Sequence, residues 1–94
     1  MSTMQVDIVT PDRKLFSEQA NMVIARTLEG EIGILPRHVP LAAVLQISKV
    51  RVKKADGDEV IASVSGGFME VRPEGVTVLA EAAEFPEDID VDRA

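Results

Sequence analysis

Apolar and polar positions alternate along most of this chain in short runs, and that alternation is the first guide to its structure. Gln5-Val6-Asp7-Ile8-Val9 alternates with a period of two, which predicts a strand, and Thr10-Pro11-Asp12 ends it in a turn whose proline sets φ in advance. Residues 14–19 are expected to form a short second strand with Leu15 or Phe16 inward. Residues 22–28 read as a third, with Met22, Ile24 and Arg26 on one face and Val23, Ala25 and Thr27 on the other, both at least partly covered. Further on, Val50 and Val52 alternate with Lys49, Arg51 and Lys53, so valines face a core and a basic row faces water. Asp56-Gly57 then signals a hairpin into residues 59–64. Ser65-Gly66-Gly67 opens a strand over residues 68–72, and Pro73-Glu74-Gly75 turns it into residues 76–80. Runs of strand length, separated by turn residues about every eight to twelve positions, are the pattern of an all-β sandwich or barrel.

Two stretches read differently. Residues 41–47 are almost wholly apolar, and periodicity leaves open a buried strand or one or two turns of helix. At Glu84 the pattern changes, because Pro86 does not belong in a central strand and Glu87-Asp88-Ile89-Asp90 places negative side chains where the first turn of a helix favours them. The chain therefore divides into a β domain over residues 1–85 and the beginning of a helical region over residues 86–94.

The densest patch of unusual residues runs Glu29-Gly-Glu-Ile-Gly-Ile-Leu-Pro-Arg-His-Val-Pro-Leu41. A short apolar strand containing Ile32, Ile34 and Leu35 leads into a loop stiffened by Pro36 and Pro40, which carries Arg37 and the single histidine, His38. Such a loop costs little entropy to hold in place, which suits a docking surface and equally a tight corner of a β fold. If extended, Glu29 and Glu31 project on the same side, as solvated acids or as acids that meet basic groups on a partner.

Composition narrows the functions available. At 94 residues the chain is one domain, and a chain of this size buries about 60–65% of its unfolded surface, which leaves little room for an enclosed active site. With three Phe and no Trp or Tyr, the core must be built from Val, Ile, Leu and Ala. Cysteine is absent, so no disulfide framework is available and a reducing compartment such as bacterial cytoplasm suits the chain. No apolar run approaches the roughly 20 residues that cross a bilayer, which argues against direct membrane insertion. Net charge is −6, but residues 1–80 hold ten acids and nine bases while residues 81–94 hold six acids and one base. An evenly balanced body with an acidic end argues against nucleic acid as a partner.

Catalytic constellations fail one by one. Without cysteine there is no Cys-His pair, no serine motif accompanies His38, and one histidine does not make a zinc site. No Gly-rich Lys-Ser/Thr loop is present to hold nucleotide phosphates. Gly66-Gly67 is a bulge or turn, or else an anion cradle of backbone N–H groups.

The stretch Glu29 to Leu41, followed by Ser65-Gly-Gly-Phe-Met-Glu-Val71 and Val76-Thr-Val-Leu-Ala80, closely resembles the epsilon subunits of bacterial F-type ATP synthases, in order and over essentially the whole chain. The resemblance implies a ten-stranded β-sandwich, or flattened barrel, at the foot of the rotating central stalk. Its partners would be the gamma subunit and the c ring of the membrane sector, on the cytoplasmic face of the bacterial plasma membrane, and its work would be coupling rotation to ATP synthesis rather than chemistry. It places Glu29, Glu31, Arg37 and His38 toward the c ring, and Thr10 and His38 toward gamma. Arg37 stands where the family motif often has glycine, which makes the loop less free and its contact more electrostatic.

Ile89-Asp-Val-Asp-Arg-Ala94 matches the Ile/Leu-Asp-x-x-Arg-Ala motif of family members that bind ATP as a regulatory ligand. By that match Glu84, Ile89, Asp90, Arg93 and Ala94 are partial ATP contacts, the remaining ligands lying on a C-terminal helical hairpin beyond residue 94. The alternative reading is a small nucleotide-sensing β-sandwich, and no metal or other cofactor is expected.

Overall fold

The computed structural model describes residues 3–37 and 39–85. Nine strands account for most of them: β1 (Met4–Val9), β2 (Lys14–Thr27), β3 (Gly30–Ile34), β4 (Leu41–Leu45), β5 (Ser48–Lys54), β6 (Glu59–Val64), β7 (Gly67–Arg72), β8 (Gly75–Ala80) and β9 (Ala83–Glu84). The expected helix start at residues 87–90 lies outside the described residues.

One strand belongs to both layers of the sandwich. The first part of β2 pairs with β1, which continues through β8 and β7 to β4. The second part of β2 lies between β3 and β5, and that layer continues through β6 to β9. Counting β2 in each layer gives five strands on either side, the ten of the family sandwich from nine continuous segments. A single pairing of Thr27 with Leu45 draws β4 against the far end of β2 and partly closes the barrel.

This replaces the two separate strands expected over residues 14–19 and 22–28. Gln19-Ala20-Asn21 contains no glycine or proline to end a strand, and Ala20 is fully buried, so the chain has every reason to stay extended there. The break in hydrophobic rhythm is instead a register shift between Ala20 and Met22 in the pairing with β5, a bulge that turns the strand from one layer into the other. Residues 41–45 resolve as strand rather than helix, because β7 offers them a full ladder from Leu41 opposite Val71 to Leu45 opposite Gly67.

Alternation then decides what is inside. Met4, Val6 and Ile8 of β1 meet Val76, Val78 and Ala80 of β8, Met69 and Val71 of β7, Val50 and Val52 of β5, and Ala62 and Val64 of β6, all buried. Each large member contributes about 1.5–3 kcal/mol by leaving water. Gly67 begins β7 directly against β8, where a Cβ would overlap the Leu79 carbonyl oxygen, so Gly67 serves close strand approach while Gly66, with φ of 106°, serves the turn before it. Lys49, Arg51 and Lys53 point into water as their phase requires.

Candidate docking surface

The outward side chains of the β1-β8-β7-β4 layer follow from the same register that fills the core. Val9 stands opposite Leu79, Leu79 opposite Phe68, and Phe68 opposite Val44, so four apolar residues form one row across four strands. At a strand spacing of about 4.8 Å this row is roughly 14 Å long. Phe68 is 42% exposed, and Leu79 and Val44 are each 46% exposed. Leu28, 64% exposed, continues the row past β4, its amide donating to the Val44 carbonyl at 3.1 Å.

Hollows lie at both ends. A cavity of about 310 Å³ extends the row beyond Val9, walled by Pro11 and Leu79 with Thr10 and Glu81 at its rim. A second, of about 240 Å³, lies among Leu28, Ala42, Ala43 and Val44 with Glu29 beside it. The small side chains of Ala42 and Ala43 are what leave that space. An apolar row running between two hollows is the shape that receives a protruding apolar ridge from another surface.

The neighbouring outward rows of the same layer are polar. Asp7, Thr77 and Glu70 are mutual cross-strand neighbours one step along, with Ala42 at the end. Beyond them Gln5 donates through Nε2 to Ser17 Oγ at 2.7 Å and to Asp7 Oδ1 at 3.1 Å, and Gln19 Nε2 donates to Gln5 Oε1 at 2.8 Å. The Ser17 hydroxyl holds the Asp7 carboxyl below its ordinary range, against a smaller opposing push from burial. The apolar row thus has a hydrogen-bonded border on one side.

Thr10 and Glu29 sit at opposite ends of this row. Thr10 closes the β1–β2 turn by donating its amide to the Arg13 carbonyl at 2.9 Å and accepting the Arg13 amide at 3.2 Å. Glu29 belongs to the β2–β3 turn, where its amide donates to Thr27 Oγ1 at 3.1 Å and the Thr27 hydroxyl donates to the Gly30 carbonyl at 2.9 Å. The extended arrangement that would put Glu29 and Glu31 on one side does not form, because Glu29 lies in the Leu28-Glu29 turn and Gly30, with φ of 123°, starts β3 before Glu31. Glu31 stands on β3 opposite Arg26, on the other layer.

Arg37 lies in the loop after β3 with φ of 66°, the left-handed region that a glycine occupies without strain. β3 separates it from Glu29 by five residues, roughly 16 Å of strand, so Glu29 and Arg37 stand at opposite ends of that strand. His38 lies outside the described residues, as do Ile89, Asp90, Arg93 and Ala94. Glu84, exposed on β9 opposite Ser63, borders a cavity of about 280 Å³ that includes Ser63 and Ser65.

The outward face of the other layer mixes charged side chains with half-buried Met22, Ile24 and Ile61. Arg51 Nε lies 2.8 Å from Glu59 Oε2, a bond that lowers the Glu59 carboxyl and raises the Arg51 guanidinium from their usual ranges. Lys54 Nζ lies 3.1 Å from Glu18 and 3.8 Å from Asp56, and the Glu18 bond raises it likewise.

Sequence reading missed Val44, Phe68 and Leu79 as functional residues. Their signal is a large apolar side chain on the water-facing phase, and it becomes visible only once Met69 and Val78 are known to fill the inward phase.

Residues 3–86 match the family model for the β-sandwich domain of the ATP synthase delta/epsilon chain. The ATP synthase epsilon chain of Alkalihalophilus pseudofirmus is 58% identical over 94 residues, covering 100% of this chain and 70% of that one. That of Brevibacillus brevis is also 58% identical, with 71% of its length covered. Among solved structures, a chain in the OSCP/F1/c-ring of Euglena gracilis mitochondrial ATP synthase superimposes with a TM-score of 0.87 at 26% identity. The match covers 96% of this chain and 57% of that one. A chain in the central stalk/c-ring of Tetrahymena thermophila mitochondrial ATP synthase shares the fold, with a TM-score of 0.74 at 16% identity over 98% of this chain and 73% of that one.

Proposed function

This chain belongs to the ATP synthase delta/epsilon family by its β-sandwich domain, and from that premise we propose that it is a non-catalytic subunit of the rotating central stalk. It docks on the gamma subunit and rests on the c ring, peripheral to the membrane, on the cytoplasmic face of a bacterial plasma membrane. The observation that carries this reading is the exposed apolar row of Val44, Phe68 and Leu79, a face that no other described residue covers and that a small free-standing domain has no reason to keep. Gamma covers this row, with Thr10 at one end of the contact. The Glu29 turn at the other end, with Glu31 close by, is turned toward the polar loops of the c ring, where acids steer and register more than they add affinity.

Rotation is transmitted, on this reading, because the docked layer shares β2 with the other layer, so both move as one body. The chain spans 70% of the length of the A. pseudofirmus relative. Residues 1–85 are the docking module, and residues 86–94 begin the region in which family motifs place nucleotide contacts.

Calorimetric titration of the chain into gamma-containing catalytic complex stripped of epsilon tests the proposal, with ATP titrated into the chain alone as the companion experiment. Tight binding to the complex is expected, weakened at least tenfold by Phe68→Asp together with Leu79→Asp, since a charge replaces apolar contact at the centre of the interface. Unchanged binding by that double variant, confirmed folded by circular dichroism, would refute the row as the docking surface. ATP binding without complex binding would favour the nucleotide-sensing alternative.

A further inference from the structure

After β8 the chain crosses from one layer to the other and is held there by few bonds. The Ser65 amide donates to the Ala82 carbonyl at 3.0 Å, and the Ala82 amide donates to Ser65 Oγ at 3.0 Å. β9 then adds only two residues to the edge of β6, Ala83 opposite Val64 and Glu84 opposite Ser63. Past β9, the ring of Phe85 lies against that of Phe16, with centroids 6.2 Å apart and planes tilted by 41°. Phe16 is itself part of the core, on the stretch of β2 that pairs with β1.

Both flanks of this segment are hollow. On one side a cavity of about 370 Å³ separates Ala82 and Ala83 from Thr10, Arg13 and Leu15. On the other, a cavity of about 280 Å³ lies between the same two alanines and Ser63 and Ser65. Two alanines and an exposed glutamate bury little apolar area, so the packing that holds the segment comes chiefly from the Phe85 ring. An edge ladder this short opens at far lower cost than the strands beneath it.

We infer that residues 82–85 form a releasable strap across the open side of the sandwich, latched by Phe85 on Phe16, which opens as a local event distinct from unfolding of the domain. When the strap is closed, Phe85 is fixed beside Phe16. When it is open, Phe85 is free, the edge of β6 at Ser63 and Val64 is unpaired and the Phe16 ring is uncovered. The strap is therefore a two-position device that sets where the rest of the chain leaves the sandwich.

Native-state hydrogen exchange of the chain, followed in low urea by NMR, tests this. The Ser65 amide reports the strap, because its acceptor is the Ala82 carbonyl, and the Val52 amide on β5 reports the core. In the unaltered chain Ser65 is expected to exchange at least tenfold faster than Val52 and with a nearly flat urea dependence, since local opening exposes little surface. Phe85→Ala should speed Ser65 by roughly a further tenfold relative to Val52, with Phe85→Leu intermediate. Equal rates and equal urea slopes for Ser65 and Val52 in the unaltered chain would overturn the strap, and that result does not depend on any variant folding. A Phe85→Ala variant in which Ser65 keeps its ratio to Val52 would overturn the latch.

Discussion

The two outward faces of this sandwich obey the same alternation and differ in what the alternation presents. On the β3-β2-β5-β6 layer the outward phase carries Glu31, Arg26, Lys49, Arg51, Lys53 and Glu59, with Arg51 and Glu59 bonded at 2.8 Å. On the β4-β7-β8-β1 layer the outward phase carries Val44, Phe68, Leu79 and Val9 in register. The first face sets paired charges among the half-buried side chains of Met22, Ile24 and Ile61, whereas the second leaves an apolar row that no other described residue covers. Strand phase therefore accounts for the core equally well in both layers, and the functional information lies in the residues placed against that phase.

The sharpest way to break this contrast is to compare neighbours on β7. Met69→Ala removes a fully buried side chain and should cost about 2–5 kcal/mol in urea unfolding. Phe68→Ala, one residue earlier and facing out, should cost less than about 1 kcal/mol, because it empties no core volume. Equal costs would mean that Phe68 is structural and that the row has no need of a partner.

A smaller effect, opposite in sign, is expected at Arg37. Its φ of 66° is strained for an L-residue, so Arg37→Gly should raise stability by about 0.5–1 kcal/mol, the relief of left-handed strain exceeding the added freedom of the unfolded chain. A loss of stability on the same assay would show that the arginine side chain itself makes a holding contact.

The smallest effect lies at the polar border of the apolar row. The Asp7 carboxyl is held below its ordinary range by the Ser17 hydroxyl. A lowered folded-state value stabilises above the unfolded pKa and is lost as pH falls through the folded one. Asp7→Asn should therefore cost about 0.3 kcal/mol at pH 7, a figure kept small by solvent screening. The difference from the unaltered chain should shrink as pH falls past the ordinary carboxylate value of about 3.9 and vanish only below the lower folded-state value. A difference that persists unchanged at pH 2 would place its origin in packing instead.

Most of the fold was legible in the sequence because turn residues punctuate it: Pro11, Gly57 and Pro73 each fall where strands end. β2 was read as two strands because the bulge at Ala20 to Met22 breaks the apolar rhythm without a breaker residue, and only its partners reveal that the backbone stays extended. β9 escaped notice since two residues carry no periodicity. Thr10 is legible as part of the Thr10-Pro11-Asp12 turn and Glu29 as the head of the Glu29–Leu41 stretch, and the two stand at opposite ends of the apolar row. Val44, Phe68 and Leu79 were not legible, since an apolar residue in a strand looks the same from either side until register is known.

The parallel pairing of β1 with β8 sets Gln5 beside Gly75 and Val9 beside Leu79, so the first strand finds one of its two neighbours near the far end of the domain. During synthesis β1 waits, with Val6 and Ile8 uncovered on one side, until almost all of the sandwich has emerged. Closing so long a loop comes late and slowly, as it does in other folds dominated by distant contacts. The sandwich therefore closes only once β8 is available, and until then the edge of β1 stays open to wrong pairings.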